Sequence, residues 1–294
     1  MAGAESRALQ PWQVITGGLC GLVLTLGLAR FAYTPLLPSL QAHTGLGDAA
    51  AGALAAVNYA GYMSGALLAA WIDSPVWRQR LYGWGLWLAV LGTAAFGLGA
   101  WLPGWVALRF LGGLCGAAGM LLGSGLVLGW LMRAGRRPEL GLYFVGIGLG
   151  IVVSALAGWG FTRAFPGQWQ PPWWLLGAVG LGFLVPAWRW RPPVPPAPAA
   201  VADDGTGPSR RWLWTMGAAY FAAGWGFVIN ATFTVAFVER EPALAGQGPL
   251  AWALVGLAAM PAVALWDRVA RRLDRKSTRL NSSHSQQSRM PSSA

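Results

Sequence analysis

The sequence contains few charged residues, and these avoid its long apolar runs. Charged residues make up 11% of the 294 positions and hydrophobic residues 55%, whereas about 25% of a soluble domain is charged. Several apolar runs exceed the roughly 18 residues that span a bilayer, so the composition predicts a membrane protein. The net charge of +11 does not indicate a nucleic-acid partner, because the arginines lie between the apolar runs.

Cysteine, histidine and acidic residues are scarce where chemistry inside a membrane would need them. Cys20 and Cys115 fall in separate apolar runs and predict neither a disulfide nor a metal site. All ten acidic residues and both histidines, His43 and His284, lie outside the predicted membrane core. Without a nucleophile–base pair or a cluster of metal ligands, we expect no enzyme, no metal and no cofactor. A nucleotide-driven pump is unsupported, because the sequence has no glycine-rich phosphate loop with a lysine.

Eight apolar runs are predicted to cross the membrane. All are expected to be helices, since an open sheet edge would leave backbone groups unpaired in lipid. They cover residues 12–38, 49–72, 81–102, 104–132, 139–164, 172–190, 212–238 and 248–267. Glycines four residues apart, Gly112 with Gly116 and Gly146 with Gly150, favour close packing of these helices.

The arginines are distributed unevenly between the two ends of these runs. With the N-terminus in the cytoplasm, 13 arginines fall on the cytoplasmic side and two, Arg163 and Arg240, on the opposite side. The 13 are Arg7, Arg78, Arg80, Arg133, Arg136, Arg137, Arg189, Arg191, Arg210, Arg211, Arg268, Arg271 and Arg272. Cytoplasmic loops of membrane proteins carry an excess of positive residues, so this bias predicts a cytoplasmic N-terminus.

Two arginines, Arg30 and Arg109, lie inside apolar runs. A guanidinium at the centre of a membrane helix costs about 2.5–3.5 kcal/mol, and it is tolerated when it faces a wet cavity or a partner. At a rise of about 1.5 Å per residue, Asn58 and Asn230 fall at similar depth in the outer half of the bilayer. No acidic residue lies there, and a forked guanidinium matches carboxylate or phosphate. We therefore expect the cargo to be an organic anion, or a zwitterion with a carboxylate.

The part of the chain that follows the sixth apolar run resembles the beginning of the chain. The intervening segment "RPPVPPAPAAVADDGTGPSRR" (191–211) is rich in Pro and Ala and is predicted to be a linker. Beyond this linker the sequence predicts a parallel internal repeat. A shift of 200 residues aligns three pairs, which are Gly17 with Gly217, Arg30 with Asn230 and Thr34 with Thr234.

Three stretches carry a resemblance to a known family. "GLARFAYTPLLP" in the first run and "NYAGYMSGALLAA" in the second resemble the YbfB/YjiJ-type branch of the major facilitator superfamily, a group of bacterial inner-membrane permeases. "RFLGGLCGAAG" (109–119) is similar to the arginine-plus-glycine motif in the fourth helix of that superfamily. The resemblance covers about residues 1–273, and it implies an all-α polytopic protein of the inner membrane.

The resemblance also implies an arrangement of segments and an activity. A six-helix N-terminal bundle would cover 1–190, a cytoplasmic linker 191–211, and the first two helices of a second bundle 212–273, out of the twelve helices usual in the superfamily. The implied activity is secondary active transport of a small solute by alternating access. We expect the protein to be a monomer whose partners are this solute and the lipid bilayer.

In the fold that the resemblance implies, the first, fourth and seventh helices line a central cavity. Arg109 is expected either to contact the substrate or to have a structural or gating role in which its guanidinium bonds to backbone carbonyls. As alternatives to substrate binding, Asn58 and Asn230 form hydrogen bonds between helices and Tyr33 packs in the core. The predicted substrate-binding residues are Arg30, Arg109, Asn230, Asn58, Tyr33 and Thr34.

The loop between the second and third runs, within "GALLAAWIDSPVWRQR", corresponds to a loop that helps to latch the closed state in the superfamily. That loop normally has Gly, then Asp, then paired basic residues. Here Asp73, Arg78 and Arg80 follow Gly65 at stretched spacing. These three residues are predicted to form a gating loop.

Residues 274–294 differ sharply in composition from the rest of the chain. They hold seven serines in 21 residues, as many as the preceding 273 residues, and include Lys276, the only lysine. Asp274–His284 resembles, letter for letter, the translation of an adapter used in short-read sequencing libraries. The segment is therefore predicted to be non-native, and the chain to be a fragment that does not transport by itself.

Coupling and the class of function are open at this point. Proton symport usually needs an intramembrane acid or histidine, which these runs lack. Either that residue lies on further helices, or the carrier is an anion exchanger or a facilitator. The alternative function is that of a non-transporting membrane sensor or assembly protein, which would show no ligand-dependent flux.

Overall fold

The computed structural model describes residues 9–136, 140–194 and 209–287. Within these ranges the chain forms eight long helices and no strand. The predicted all-α fold is confirmed, as is the order of the eight apolar runs. The helices are α1 (Pro11–Thr44), α2 (Asp48–Trp71), α3 (Pro75–Leu98), α4 (Leu102–Arg133), α5 (Gly141–Ala164), α6 (Pro171–Arg189), α7 (Arg210–Arg240) and α8 (Gly248–Gln287).

Six of these helices, α1 to α5 and α7, are long and apolar enough to cross a membrane. The 19 residues of α6 include three tryptophans and three prolines, which lower its mean hydropathy. In α8 the apolar stretch covers only Gly248–Ala262. Eight crossings are thus predicted, of which length and hydropathy support six.

The winding of α1 changes around Arg30. Pro11–Leu22 and Tyr33–Thr44 are α-helical, whereas Val23–Phe31 between them is π-helical. Pro35 has no N–H to donate to the carbonyl of the last π residue, so the α-helical ladder is already interrupted at that point. Wide turns of this kind are rare within helices and frequently occur at functional sites.

Both α1 and α8 are longer than predicted. The sequence predicts that the first helix ends at Pro38, but α1 continues to Gly45, whose positive φ of 69° closes the last turn. His43, expected outside the helices, therefore lies on the last turn of α1, where it is exposed. The helix α8 also continues beyond residue 267, where the eighth run was predicted to end, because neither Gly nor Pro interrupts residues 262–287. Residues 288–294 lie outside the described ranges, and the non-native origin of 274–294 stays a prediction.

Glycines allow α1 to approach α4 and α5 closely. A side chain at Gly150 of α5 would meet Cα of Gly27 at 2.7 Å, and one at Gly146 would meet the backbone of α1 at 2.5 Å. On α4, a side chain at Gly112 would meet the carbonyl oxygen of Ala29 at 2.7 Å. The predicted role of these glycines in close helix packing is confirmed. The same contacts hold the fourth helix beside the segment of α1 that carries Arg30.

The helices α7 and α8 pack against α1 and α5. Gly148 of α5 and Gly256 of α8 face each other, and a side chain at either would meet the carbonyl oxygen of the other at 2.6 and 2.7 Å. An exposed ion pair, 2.8 Å from Arg240 Nη2 to Asp48 Oδ2, joins the end of α7 to the start of α2. Most of the predicted linker, residues 195–208, lies outside the described ranges.

Candidate substrate site

One cleft is lined by five of the six predicted substrate-binding residues. It lies between α1, α2 and α4 and encloses about 10 Å³ in this conformation, which is room for about one water molecule. Pockets for drug-sized ligands enclose about 300–1,000 Å³, so a solute can enter this cleft only when the helices move apart. Its lining residues are Arg30, Phe31, Tyr33, Thr34, Ala55, Asn58, Tyr59 and Arg109.

The guanidinium of Arg30 lies among three aromatic rings. Its Cζ is 4.4 Å from the ring centre of Tyr59, 5.4 Å from that of Phe31 and 5.5 Å from that of Tyr62. The negative faces of aromatic rings stabilise a cation that is partly removed from water. Among the described residues, no carboxylate forms an ion pair with Arg30 and no acceptor is hydrogen-bonded to its guanidinium. Within the described part of the chain, the donors of this half-buried cation have no acceptor.

The guanidinium of Arg109 is instead engaged with the backbone. Its side chain is only 6% exposed. Nε donates to the carbonyl oxygen of Leu54 at 3.3 Å, and Nη1 donates to those of Ala29 and Arg30 at 3.4 Å each. The ring centre of Tyr33 lies 4.4 Å from its Cζ. Arg109 thus connects α4 to α1 and α2, which is the structural role that the sequence left open.

Asn58 is buried beside Arg109, with 1% of its surface exposed. Its Nδ2 donates to the carbonyl oxygen of Arg109 at 2.8 Å, which is the interhelical hydrogen bond expected of such a residue. Its Oδ1 has no hydrogen-bond partner among the described residues. Only one end of this amide is therefore used by the fold.

Tyr33 and Thr34 line the cleft mainly as buried walls. The hydroxyl of Tyr33 donates to the carbonyl oxygen of Ala51 at 3.0 Å, so it is already paired within the fold. Thr34 is 4% exposed. Both residues shape the space next to the two guanidinium groups.

Tyr59 is a cleft residue that sequence reasoning did not single out. It follows Asn58 directly and precedes Tyr62 by three residues in "NYAGY". Residues three apart lie on one side of a helix, so this spacing could have indicated a pair of rings facing Arg30.

Asn230, the sixth predicted substrate-binding residue, belongs to α7. Its side chain lies outside the described part of the chain. Its place in the site stays a prediction.

Two of the predicted gating residues, Asp73 and Arg78, line a second and larger cavity between α2, α3 and α4. This cavity has a volume of about 530 Å³, and Arg133 is the third charged residue in its lining. Nε of Arg78 donates to a backbone carbonyl just after α2 at 2.6 Å. Arg80 is not part of the lining, and its Cζ lies 5.5 Å from the ring centre of Trp77.

The sequence is similar to known transport proteins. The family described as "Uncharacterised MFS-type transporter YbfB" matches residues 22–282. "Inner membrane metabolite transport protein YgcS" of Escherichia coli (strain K12) is 26% identical over 193 residues, which are 65% of this chain and 39% of that protein. "Uncharacterized transporter mfc1" of Schizosaccharomyces pombe is 30% identical over 121 residues, which are 39% of this chain and 24% of that protein.

This chain therefore spans less than half the length of either relative that it matches. The family match, by contrast, extends over most of the chain and includes every residue of the cleft. It agrees with the helical, apolar architecture and with the resemblance carried by the first, second and fourth helices. The chain is a multi-pass membrane protein that belongs to the family of MFS-type transporters represented by YbfB.

Proposed function

We propose that this protein is a secondary transporter and that it binds a small organic anion through Arg30. The observation that supports this proposal is a guanidinium in a small cleft with no carboxylate partner among the described residues. Holding such a charge near the middle of a membrane is costly, and a functional partner for it is the default expectation. An anionic solute would supply that partner.

The two arginines have different parts in this proposal. Arg109 is buried and bonded to three backbone carbonyls, so it positions the helices around the cleft. Both guanidinium groups line the same small cleft, so their like charges repel. An anion at Arg30 would relieve this repulsion, and a carboxylate fits the two parallel donors of a guanidinium.

The cavity lined by Asp73, Arg78 and Arg133 is proposed as part of the gate on the cytoplasmic side. It lies where the loop between α2 and α3 meets α4, and its charged residues are exposed. Rearrangement of these charges would open or close a path without touching the cleft. Asp73→Asn is accordingly expected to alter the transport rate while leaving anion affinity at Arg30 unchanged. An equal loss of affinity would remove the gating role.

The proposal is tested by binding and by flux. Purified protein is screened for thermal stabilisation by small carboxylates and by inorganic phosphate, and the affinity for the best ligand is then measured in Arg30→Gln. Loss of one side of a charged pair costs about 2–5 kcal/mol, so we expect a decrease in affinity of about a hundredfold.

Arg163→Gln is the matched control, because Arg163 is an exposed arginine on the same predicted side of the membrane. It should bind like the unchanged protein. Unaltered affinity in Arg30→Gln would refute the anion site. Uptake of the labelled ligand into proteoliposomes that contain the full-length protein, with the further helices that the resemblance implies, then separates a transporter from a sensor, since a sensor would bind the anion without moving it.

A further inference from the structure

The cleft also contains a buried hydrogen-bond acceptor that the fold leaves unused. Oδ1 of Asn58 is buried and has no partner among the described residues, although Asn58 lines the same cleft as Arg30. Buried polar atoms are nearly always paired, and an exception calls for an explanation in terms of a ligand, an ion or a water.

The orientation of the Asn58 amide is fixed by its other end. The partner of Nδ2 is the carbonyl oxygen of Arg109, which can only accept a hydrogen bond. The NH₂ group must therefore face Arg109, and the oxygen must face the opposite way. An exchange of the two amide atoms would place two acceptors 2.8 Å apart.

We infer that Oδ1 of Asn58 accepts a hydrogen bond from the solute and that the solute is a small hydroxycarboxylate. The inference rests on the proposed function, in which Arg30 binds the carboxylate. A cation and an acceptor on neighbouring walls of one small cleft match an acid that carries a hydrogen-bond donor close to its carboxylate. The cleft encloses only about 10 Å³ in this conformation, so the acid must have a short carbon skeleton and the helices must move apart to admit it.

The donor is a hydroxyl and not an ammonium group. Two guanidinium groups, those of Arg30 and Arg109, border the cleft, and none of the described residues that line it carries a carboxylate. A second positive charge on the solute would be repelled by both arginines. A neutral hydroxyl satisfies Asn58 Oδ1 without this repulsion.

The inference is tested with acids that share one carbon skeleton and differ only at the carbon next to the carboxylate. These are lactate, propionate, pyruvate and alanine. Lactate offers a hydroxyl donor, propionate offers no polar group, pyruvate offers only an acceptor, and alanine offers an ammonium group. A site built around a hydrogen bond discriminates strongly against analogues that leave its buried group unpaired. Lactate is therefore expected to bind at least about tenfold more tightly than each of the other three.

Asn58→Leu tests whether this preference depends on Asn58. Removing Oδ1 should bring the affinities for lactate and propionate to within about twofold of each other. A merely structural role of Asn58 would weaken both acids equally and keep their ratio. The control is Ser154→Ala, because Ser154 is a buried polar residue of α5 whose hydroxyl is bonded within its own helix. If Asn58→Leu does not fold, the comparison of the four acids on the unchanged protein still decides the question.

The outcomes separate this inference from the proposed function. If propionate or alanine binds as tightly as lactate while Arg30→Gln abolishes binding of all of them, the hydroxycarboxylate inference is wrong and the anion site stands. Such a result would assign Asn58 Oδ1 to a bound water. If binding is unaffected by Arg30→Gln, both proposals are wrong.

Discussion

Replacing Arg109 by lysine should destabilise the protein, whereas the same change at Arg30 should not. Both variants keep the positive charge, so the cost of holding a cation in the membrane is unchanged. Arg109 loses its fork, which reaches three backbone carbonyls at 3.3–3.4 Å. Hydrogen bonds between membrane helices contribute about 0.6 kcal/mol each on average, and a lysine could keep one of the three. The expected loss in free energy of unfolding is about 1–2 kcal/mol.

Arg30 loses no hydrogen bond to the described part of the chain when it becomes lysine. An ammonium group can also remain near the rings of Tyr59 and Tyr62. The stability of the Arg30→Lys variant should therefore be close to that of the unchanged protein. Anion binding should respond in the opposite way, with a clear loss in Arg30→Lys because the paired donors are gone, and little change in Arg109→Lys.

Thermal unfolding of the purified protein in detergent measures the difference. A change of 1 kcal/mol shifts the melting temperature by about 2–4 °C in domains of 150–250 residues, so Arg109→Lys should lower it by several degrees. Equal shifts for Arg109→Lys and Arg30→Lys would refute the assignment of separate roles. So would an Arg109→Lys variant that is as stable as the original but no longer binds the anion.

Three further predictions concern packing, the outer surface and topology. Gly150→Ala should destabilise the protein by about 1–3 kcal/mol, because the new methyl group would meet the backbone of α1, whereas Gly160→Ala, which has open space around it, should not. Arg240→Gln breaks an exposed ion pair, and its melting temperature should match that of the original at physiological salt because such pairs are screened. Cysteines placed at Arg136 and at Gln168, both exposed, should react with a membrane-impermeant maleimide from opposite sides of the membrane. Labelling of both from one side would contradict the predicted orientation.

The helical fold could be predicted from the sequence, but the helix ends could not. Long apolar runs and the arginine pattern sufficed to order the eight helices. The end of α1 was predicted at Pro38, because proline usually breaks a helix. The π-helical segment Val23–Phe31 packs closely against α5 through Gly27 and Gly150, and neither this winding nor this contact is visible in a local sequence pattern. The length of α8 was missed because its polar second half carries no apolar signal.

The members of the candidate site could be predicted, but not their partners. Depth along each helix placed Arg30, Asn58 and Arg109 at a similar level in the membrane. The fold implied by the family resemblance was needed to bring the first and fourth helices, and with them the two arginines, to one cavity. Tyr59 was missed although its spacing of three residues from Tyr62 places both on one side of α2, because the spacing does not by itself show which charge that side of the helix faces. The pairing of Arg109 with carbonyl oxygens was likewise hidden, since every residue has a carbonyl and the sequence does not show which one is near.

The two arginines of the cleft are compensated in different ways, and this difference underlies the separate roles proposed for them. In the sequence each is a cation in an apolar run with no acid nearby, although only Arg109 belongs to a motif common in the superfamily, and each must be compensated because water is absent. Compensation by the fold is visible as donors directed at carbonyl oxygens, and it makes Arg109 part of the scaffold. Arg30 has aromatic rings around it, which stabilise its charge but accept none of its hydrogen bonds. Rings therefore hold the guanidinium in place without saturating it, and this combination is what a site for a transient anion requires, because a charge fully satisfied by the protein would have nothing left with which to bind.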